Sequence, residues 1–298
     1  GASWEFTSFL REANLGRRYV FYIAFERDST AWIGASDGLY RYDGYTWTVY
    51  TRADGLPSDF VRSVCVDRKG RVWVGTDRGA GVFRPGSFQT LGLERSLANR
   101  SVRRIHEDPD GSMWFCCDRW PDDSLQGGIV RWSEGAVQSY GLADGLPDDY
   151  VFGAFMDRQG RRYAFTRAGW RVQRNGEWSS GGEPGLPPEQ RVHMMVESET
   201  GLAFAQTGFS TPPRVRREGV WTEAVGEGYG PLCATRGGEV YQAAETGARS
   251  AVRLERWDGQ QFAPVSSPFP CPEGSVDALA EAPDGSLWCV GPEVVLRW

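Results

Sequence analysis

Residues 53–79 read ADGLPSDFVRSVCVDRKGRVWVGTDRG, and residues 143–169 read ADGLPDDYVFGAFMDRQGRRYAFTRAG. Both stretches contain an opening ADGLP, a turn of the form Asp-Arg-x-Gly and an aromatic residue three positions after the turn glycine. This near-duplication indicates either a repeated functional motif or a repeated structural unit. Further copies at a fixed period would favour the structural unit.

Such copies recur through the whole chain at a period of about 40 residues, which is the length of a propeller blade. The frame is set by Gly70 of the turn and by Trp73. The residues that match Trp73 in the other copies are Trp32, Trp114, Tyr163, Phe204, Tyr241 and Trp288. Val61 precedes Gly70 by nine residues, and its counterparts are Val20, Val102, Val151, Val192, Tyr229 and Val276. Seven copies without a gap favour architecture over chemistry.

Each copy contains four short strand-like runs, and Asp-Gly or Asn-Gly pairs mark tight hairpin turns between them. The sequence therefore predicts an all-β fold, a seven-bladed β-propeller of four-stranded antiparallel blades. The predicted copies span 14–51, 54–92, 96–141, 144–180, 185–226, 227–266 and 271–298. The last copy lacks a fourth strand, and residues 3–9 are expected to supply it. This strand would close the ring and make residues 1–298 a single domain.

Composition and charge exclude several classes of function. The 298-residue chain has a formal charge of -6, and its 33 Lys and Arg residues form no basic block, so nucleic-acid binding is not expected. No stretch of 18 apolar residues is present, which predicts no membrane insertion by this chain itself. No secretory signal peptide is recognisable in the sequence.

The cysteines and histidines do not form a pattern that predicts a metal site or catalysis. The six cysteines lack a Cys-x-x-Cys pair, and buried thiols are expected rather than disulfides, although pairing stays open. They are Cys65, Cys116, Cys117, Cys233, Cys271 and Cys289. His106 and His193 occupy positions of the first strand that face opposite ways. The predictions are therefore no catalytic residues, no metal and no cofactor.

Two strings, DPDGSMW (108–114) and APDGSLW (282–288), are similar to the Asp-box of sialidase-type propellers. We interpret this box as a hairpin-turn device in which the aspartate accepts backbone N–H bonds. Sialidase chemistry would need an arginine triad and further groups that the sequence does not assemble. These strings therefore predict turns rather than an enzyme.

The loops that link the blades and the loops between second and third strands should share one face of the propeller, around the channel mouth. The loop Cys117–Gly128 (CDRWPDDSLQGG) is longer than the repeat requires, which favours a functional role. In this loop Trp120 could stack on a sugar while polar neighbours bind hydroxyls, or it could pack back on the neighbouring blade. The polar neighbours are Asp118, Arg119, Asp122 and Asp123. Further candidates at the mouth are Asp37, Asp59, Asp77, Arg78, Asp149, Tyr150, Arg167 and Phe209.

The string DGLPSDFVRSVCVDRKGRVWVGTDRGAGVF (54–83) resembles the two-component regulator propeller repeat. The resemblance is close in the first, second and seventh copies and weak in the fifth and sixth, which carry Phe204 and Tyr241 in place of Trp. The resemblance implies the extracytoplasmic (periplasmic or cell-surface) sensor part of a bacterial histidine kinase or hybrid two-component protein. Many sensors of that family respond to oligosaccharides.

The leading hypothesis is therefore a non-catalytic sensor propeller that binds a small ligand or glycan at the channel mouth. One alternative is a protein–protein interaction scaffold, which could form a homodimer through the parent protein. Another is a carbohydrate-active enzyme or a lectin. Virginiamycin-lyase-type enzymes also have seven blades, but family knowledge implies a catalytic histidine and a metal there. The two separated histidines of this sequence do not match that requirement.

Overall fold

The computed structural model describes residues 19–85, 87–98, 100–121, 124–208, 211–226, 229–246, 251–265, 275–291 and 294–298. Within these ranges the chain forms seven antiparallel sheets, each built from strands that are consecutive in the sequence. Six of the sheets have four strands and the last has three. We number the sheets as blades 1 to 7 in chain order.

Blades 1 to 4 contain β1 (Val20–Phe25), β2 (Ala31–Ala35), β3 (Gly38–Tyr42), β4 (Trp47–Tyr50), β5 (Val61–Val66), β6 (Val72–Thr76), β7 (Gly79–Arg84), β8 (Ser87–Gln89), β9 (Ser101–Glu107), β10 (Met113–Asp118), β11 (Gly128–Ser133), β12 (Ala136–Tyr140), β13 (Val151–Met156), β14 (Arg162–Thr166), β15 (Gly169–Arg174) and β16 (Glu177–Ser179). Blades 5 to 7 contain β17 (Met194–Glu197), β18 (Ala203–Gln206), β19 (Arg214–Arg217), β20 (Val220–Glu223), β21 (Leu232–Ala234), β22 (Val240–Thr246), β23 (Ala251–Trp257), β24 (Phe262–Pro264), β25 (Ala278–Glu281), β26 (Leu287–Gly291) and β27 (Val294–Arg297). Short 3-10 helices lie at Arg52–Asp54 and Leu142–Asp144.

This architecture confirms the predicted seven-bladed β-propeller of four-stranded antiparallel blades. The first strand of each blade contacts the first strand of the next blade, and β25 of blade 7 contacts β1 of blade 1. The ring therefore closes through packing between the first and last blades. The fourth strand predicted for blade 7 at residues 3–9 lies outside the described residues, and the predicted copy boundaries stay predictions.

The hydrophobic core lies between the blades rather than within them. The described residues form seven hydrophobic clusters, one at each interface between neighbouring blades. Trp73 illustrates the arrangement, because its fully buried ring packs against Phe115 and Trp132 of blade 3, with ring centroids 5.6 Å and 5.3 Å away. Trp288 of blade 7 similarly faces Phe25 of blade 1 at 5.7 Å. The aromatic residue of the repeat is thus a packing wedge between blades.

The Asp-Arg-x-Gly turn joins neighbouring blades as well as two strands. Asp67 accepts hydrogen bonds from the backbone N–H groups of Lys69 and Arg71 and from the indole Nε1 of Trp73, at 2.8–3.0 Å. Arg68 donates its backbone N–H to the Glu107 carboxylate of blade 3 at 2.9 Å. Equivalent bonds run from Arg158 to Glu197 and from Arg236 to Glu281.

The two Asp-box-like strings form turns, as predicted. Asp110 accepts hydrogen bonds from the backbone N and the Oγ of Ser112, at 2.9 Å and 2.6 Å. Ser112 in turn accepts from the indole Nε1 of Trp114 at 3.1 Å. Asp284, Ser286 and Trp288 repeat the same three bonds in blade 7. These aspartates hold the turn and the wedge residue in place.

The ADGLP linker is also an architectural element. Asp54 accepts the backbone N–H of Thr51 at 2.8 Å, and Gly55 ends the short helix with a φ of 101°. A positive φ of this size is strained for residues with a Cβ, which explains the glycine. Leu56 is buried at the interface between blades 1 and 2. The stretch that is repeated in the sequence therefore specifies the ring.

The cysteines of the described part of the chain are free thiols. Cys116, Cys117, Cys233 and Cys289 are buried, and Cys65 is partly buried. Desolvation raises the pKa of the Cys117 thiol to about 12, so this sulfur is a poor nucleophile and metal ligand at neutral pH. Cys271 lies outside the described residues. Among the residues that are described, no helix is long and apolar enough to cross a membrane.

Candidate functional site

In each of the first four blades, an irregularity in the first strand sets one residue apart from the regular strand pairing. In blades 1 to 4 the pairing of the first and second strands skips one residue, which follows the valine of the repeat. The skipped residues are Phe21, Arg62, Arg103 and Phe152. Such β-bulges bend a strand and re-aim its side chain. The same sequence position holds His193, Gly230 and Asp277 in blades 5, 6 and 7.

A cavity of about 540 Å³ lies at the channel mouth. Three of the bulge residues, Phe21, Arg62 and Arg103, belong to its lining, together with Asp277 of blade 7. The ring of Phe152 lies 5.3 Å from the Arg103 guanidinium and 4.9 Å from the His193 ring, so blades 3, 4 and 5 meet there. The other lining residues are Tyr19, Tyr22, Phe60, Arg104, Trp120 and Tyr150.

Aromatic rings form one wall of this cavity. The Trp120 ring lies 4.8 Å from the Phe60 ring, which lies 5.0 Å from the Phe21 ring, and Tyr19 follows at 6.5 Å. Trp120 therefore packs on the neighbouring blade 2, which is one of the two arrangements that the sequence left open for this residue. Its side chain nevertheless stays 40% exposed, and Tyr19 is 61% exposed. The wall thus offers an exposed aromatic surface, which sugar rings and other flat apolar groups can contact.

The buried ion pair between Arg62 and Asp118 packs behind this aromatic wall. Arg62 donates two hydrogen bonds to the Asp118 carboxylate, at 2.5 Å and 3.0 Å, and its guanidinium lies 5.0 Å from the centre of the Trp120 ring. The Asp118 side chain is fully buried. It also accepts the backbone N–H of Trp120 at 3.1 Å and lies 3.4 Å from Arg103. Asp118 is therefore a positioning residue for Trp120 rather than an open ligand contact.

The electrostatic environment of the channel is set by its arginines. Burial and the nearby guanidinium groups of Arg103, Arg191 and Arg104 lower the pKa of His193 to about 4, so this imidazole is neutral at physiological pH. Asp277 is reached by solvent through the channel but is surrounded by protein. This desolvation raises the pKa of its carboxyl to about 6 despite the favourable charge of Arg103.

Other predicted site residues form pairs around the rim of the same cavity. Arg119 forms an ion pair with Asp149 at 3.3 Å. Arg167 pairs with Asp148 at 3.1 Å, and its guanidinium lies 5.4 Å from the centre of the Tyr150 ring. Arg119 and Asp149 are the sequence neighbours of the cavity residues Trp120 and Tyr150. Asp122, Asp123 and Phe209 lie outside the described residues.

Asp77 and Arg78 line a different cleft. It has a volume of about 590 Å³, lies between blades 2 and 3, and includes Pro121 in its wall. Because Trp120 lines the channel cavity, the Trp120–Pro121 segment separates the two spaces. Two further candidates serve as local hydrogen-bond acceptors: Asp59 accepts the backbone N–H of Arg52 at 2.7 Å, and Asp37 accepts the hydroxyl of Tyr40.

The two histidines have separate surroundings. His106 lies 3.3 Å from Asp108 and stacks on Trp114, at the end of β9 that leads into the turn to β10. His193 packs on Phe152 in the channel. Among the residues that the structure describes, no group of three or more His, Cys, Asp or Glu side chains is arranged to hold a metal ion. The described site thus consists of aromatic rings, guanidinium groups and the carboxyl of Asp277.

The bulge residues were missed in the sequence, although a signal for them exists. Each of them directly follows the valine that marks the repeat, so the register of the repeat already contains their positions. Their side chains differ from copy to copy, whereas the valine recurs. A position that varies within an otherwise regular repeat is a candidate for function rather than for packing.

The fold and the site define a class: a seven-bladed β-propeller with an aromatic, arginine-containing cavity at one channel mouth. The family model "Two component regulator propeller" matches residues 55–78 and 96–119. These segments contain the whole of the first two strands of blade 2 and of blade 3, together with the end of the linker before each. The resemblance to the two-component regulator propeller repeat is thereby confirmed in these two copies. No curated protein sequence matches the chain.

Several solved structures share the fold at low sequence identity. The extracellular domain assigned to a hybrid two-component system of B. thetaiotaomicron is 14% identical over 100% of this chain and 40% of that one, with a TM-score of 0.74. A second such domain from the same organism is 14% identical over 95% of this chain and 40% of that one, with a TM-score of 0.71. The chain spans about two fifths of the length of these domains.

A catalytically inactive virginiamycin B lyase from Staphylococcus aureus, determined with quinupristin, is also similar. It is 14% identical over 99% of this chain and 98% of that one, with a TM-score of 0.69. Extracellular domains of two-component systems and a lyase therefore share this fold. The function has to be argued from the site.

Proposed function

We propose that this chain is the ligand-binding sensor propeller of a bacterial signal-transduction protein, and that an oligosaccharide binds in the channel-mouth cavity. The observation that carries the proposal is the half-exposed ring of Trp120, which continues into an aromatic wall beside guanidinium groups. The family match and the fold shared with extracellular domains of two-component systems support it. An extracytoplasmic location is part of the proposal.

The chemistry of the cavity suits a sugar. The apolar face of a pyranose ring can lie on Trp120 or Phe60, and its hydroxyl groups can bond to the Tyr150 hydroxyl and to guanidinium N–H groups. A cavity of about 540 Å³ accommodates a ligand of about two sugar rings, within the range of small-molecule sites. In this role the chain binds its ligand and releases it chemically unchanged.

Titration calorimetry of neutral and charged oligosaccharides tests the proposal. We expect Trp120→Ala to weaken binding on the order of 10-fold or more, because the stacking of a ligand ring on an aromatic side chain contributes ~1–3 kcal/mol. Tyr45→Ala is the matched control, since Tyr45 is 92% exposed in the turn between β3 and β4. This turn lies on the opposite face of the propeller.

Recovery of the ligand by mass spectrometry completes the test. An unchanged ligand supports the non-catalytic role, and a cleaved or eliminated product overturns it. Oligosaccharide binding that Tyr45→Ala and Trp120→Ala weaken equally would place the ligand elsewhere. A chain that binds no oligosaccharide but does bind a partner protein would favour the interaction scaffold instead.

A further inference from the structure

We propose that the ligand of the channel-mouth cavity carries a negative charge, a carboxylate or a sulfate ester, which binds to Arg103 and Arg104. This inference rests on the proposed function, because it specifies the chemical class of the oligosaccharide. It is carried by the distribution of charged partners in the cavity wall.

The three arginines of the wall differ in their partners. Arg62 is fully paired, because it makes two hydrogen bonds to Asp118 and a third to the Ser101 hydroxyl. Arg103 reaches the same carboxylate at 3.4 Å, as a second partner of a group that Arg62 already occupies.

Arg104 has no carboxylate partner within 4 Å among the described residues. Its guanidinium lies 5.4 Å from the centre of the Tyr22 ring, which leaves its N–H donors without a charged acceptor. Arginine donors that are partly buried and not matched by a carboxylate are the groups with which proteins bind carboxylates and tetrahedral oxyanions.

The β-bulge in β9 explains why both arginines reach the cavity. Consecutive residues of a regular strand point to opposite sides. In β9 the pairing partner of Cys117 is Val102 and that of Cys116 is Arg104, so Arg103 is the extra residue of the bulge. As a result, Arg103 and Arg104 both line the cavity. The bulge thus creates a local pair of cations.

The cavity is positive although the whole chain is negative. The lining contains three guanidinium groups and one carboxylate, that of Asp277, while the buried Asp118 carboxylate behind it is bonded to Arg62. The neutral imidazole of His193 is consistent with this field, since the pKa of His193 is lowered partly by these arginines. In a chain of formal charge -6, a positive cavity beside an aromatic wall favours an anionic ligand over a neutral one.

Paired ligands that differ only in charge test the inference. Calorimetry compares digalacturonate with its neutral methyl ester, and a sulfated disaccharide with its desulfated form, at low and high ionic strength. We expect the charged member of at least one pair to bind more tightly, with an affinity that falls as salt is added. The pair that responds identifies the anion as carboxylate or sulfate.

Arg104→Gln is the central variant, and Arg256→Gln is its matched control. We expect Arg104→Gln to weaken binding of the charged ligand on the order of 10–100-fold, as for a charge-assisted hydrogen bond, and to leave the neutral ligand unaffected. Arg256 lies in an exposed pair with Glu239, so its substitution removes the same charge without touching the cavity. Asp277→Asn should strengthen binding of the charged ligand, because it removes a competing carboxylate.

The outcomes separate the inference from the proposed function. Equal binding of neutral and charged ligands, with no effect of Arg104→Gln, overturns the anionic ligand and leaves the sugar-binding function standing. Binding of no oligosaccharide by a folded protein overturns both. Circular dichroism and a denaturation midpoint for Arg104→Gln establish that the variant is folded.

Discussion

Substitution of Asp118 by Asn removes the charge that holds two arginines of the channel. The Asp118 carboxylate is fully buried, accepts two hydrogen bonds from Arg62 and lies 3.4 Å from Arg103. It also binds the backbone N–H of Trp120. The Asn side chain has nearly the same shape, so the change acts on charge and hydrogen bonding rather than on volume.

We expect Asp118→Asn to lower the free energy of unfolding by about 3–5 kcal/mol, because a buried guanidinium loses its counter-charge. The Arg62 side chain is only 9% exposed and cannot recover its hydration without a local rearrangement. An ordinary exposed ion pair contributes about 0–1 kcal/mol, so the two situations differ by several-fold. The same change should also weaken ligand binding, since Arg62 and Asp118 together position Trp120.

Urea denaturation, followed by tryptophan fluorescence, measures the effect from the midpoint and the slope. The control is Arg256→Gln, which breaks the exposed Arg256–Glu239 pair at 3.0 Å and should cost less than about 1 kcal/mol. The double variant Arg62→Gln/Asp118→Asn should be less destabilised than the two single effects together predict. A loss below about 1 kcal/mol for Asp118→Asn, or strict additivity in the double variant, would refute this reasoning.

Three further outcomes follow from the packing and the channel. Trp73→Ala should lower the free energy of unfolding by about 3–5 kcal/mol while the affinity of the folded fraction stays unchanged, as denaturation and calorimetry would show. Gly75→Ala should destabilise the fold, because an added Cβ would clash with the Ser63 hydroxyl and come within 2.8 Å of Val102 of the next blade. Gly182→Ala should not destabilise the fold, because a Cβ at this position meets nothing within 4 Å. Equal denaturation midpoints for the two variants would contradict the packing argument. The native pKa of His193, about 4, lies below its ordinary value of 6.5, so the wild type should lose stability relative to His193→Gln as pH falls from 6.5 towards 4. Parallel pH–stability curves for the two proteins would contradict that assignment.

The strand order could be predicted from the sequence because it depends on local signals. The hairpin turn at Asp67–Gly70 and the wedge residue Trp73 are encoded within a few positions of each other. Their recurrence in seven copies then specified the number of blades, since each copy can bury its aromatic residue only against a neighbour. The long loop around Trp120 could be recognised in the sequence for a related reason, because it departs from the repeat.

The side chains at the channel mouth could be predicted from the sequence only in part. Tyr150 and Trp120 were predicted for this face, and the structure places both in the lining of the cavity. Asp118 was predicted to be a ligand contact, and the structure places it beneath the wall as the partner of Arg62. Arg62 and Asp118 are separated by 56 positions in the sequence, and only the packing of blade 3 on blade 2 brings them together.

The sequence by itself determined the blade, its turns and the number of its copies, because these features rest on hydrogen bonds and packing between nearby residues. Only the tertiary structure decided which side chains meet in the channel. A bulge in β9 turns Arg103 and Arg104 into the same cavity, and closure of the ring adds Asp277 of blade 7 to its lining. Those positions depend on how the blades pack around a common axis, which no segment of the sequence encodes alone.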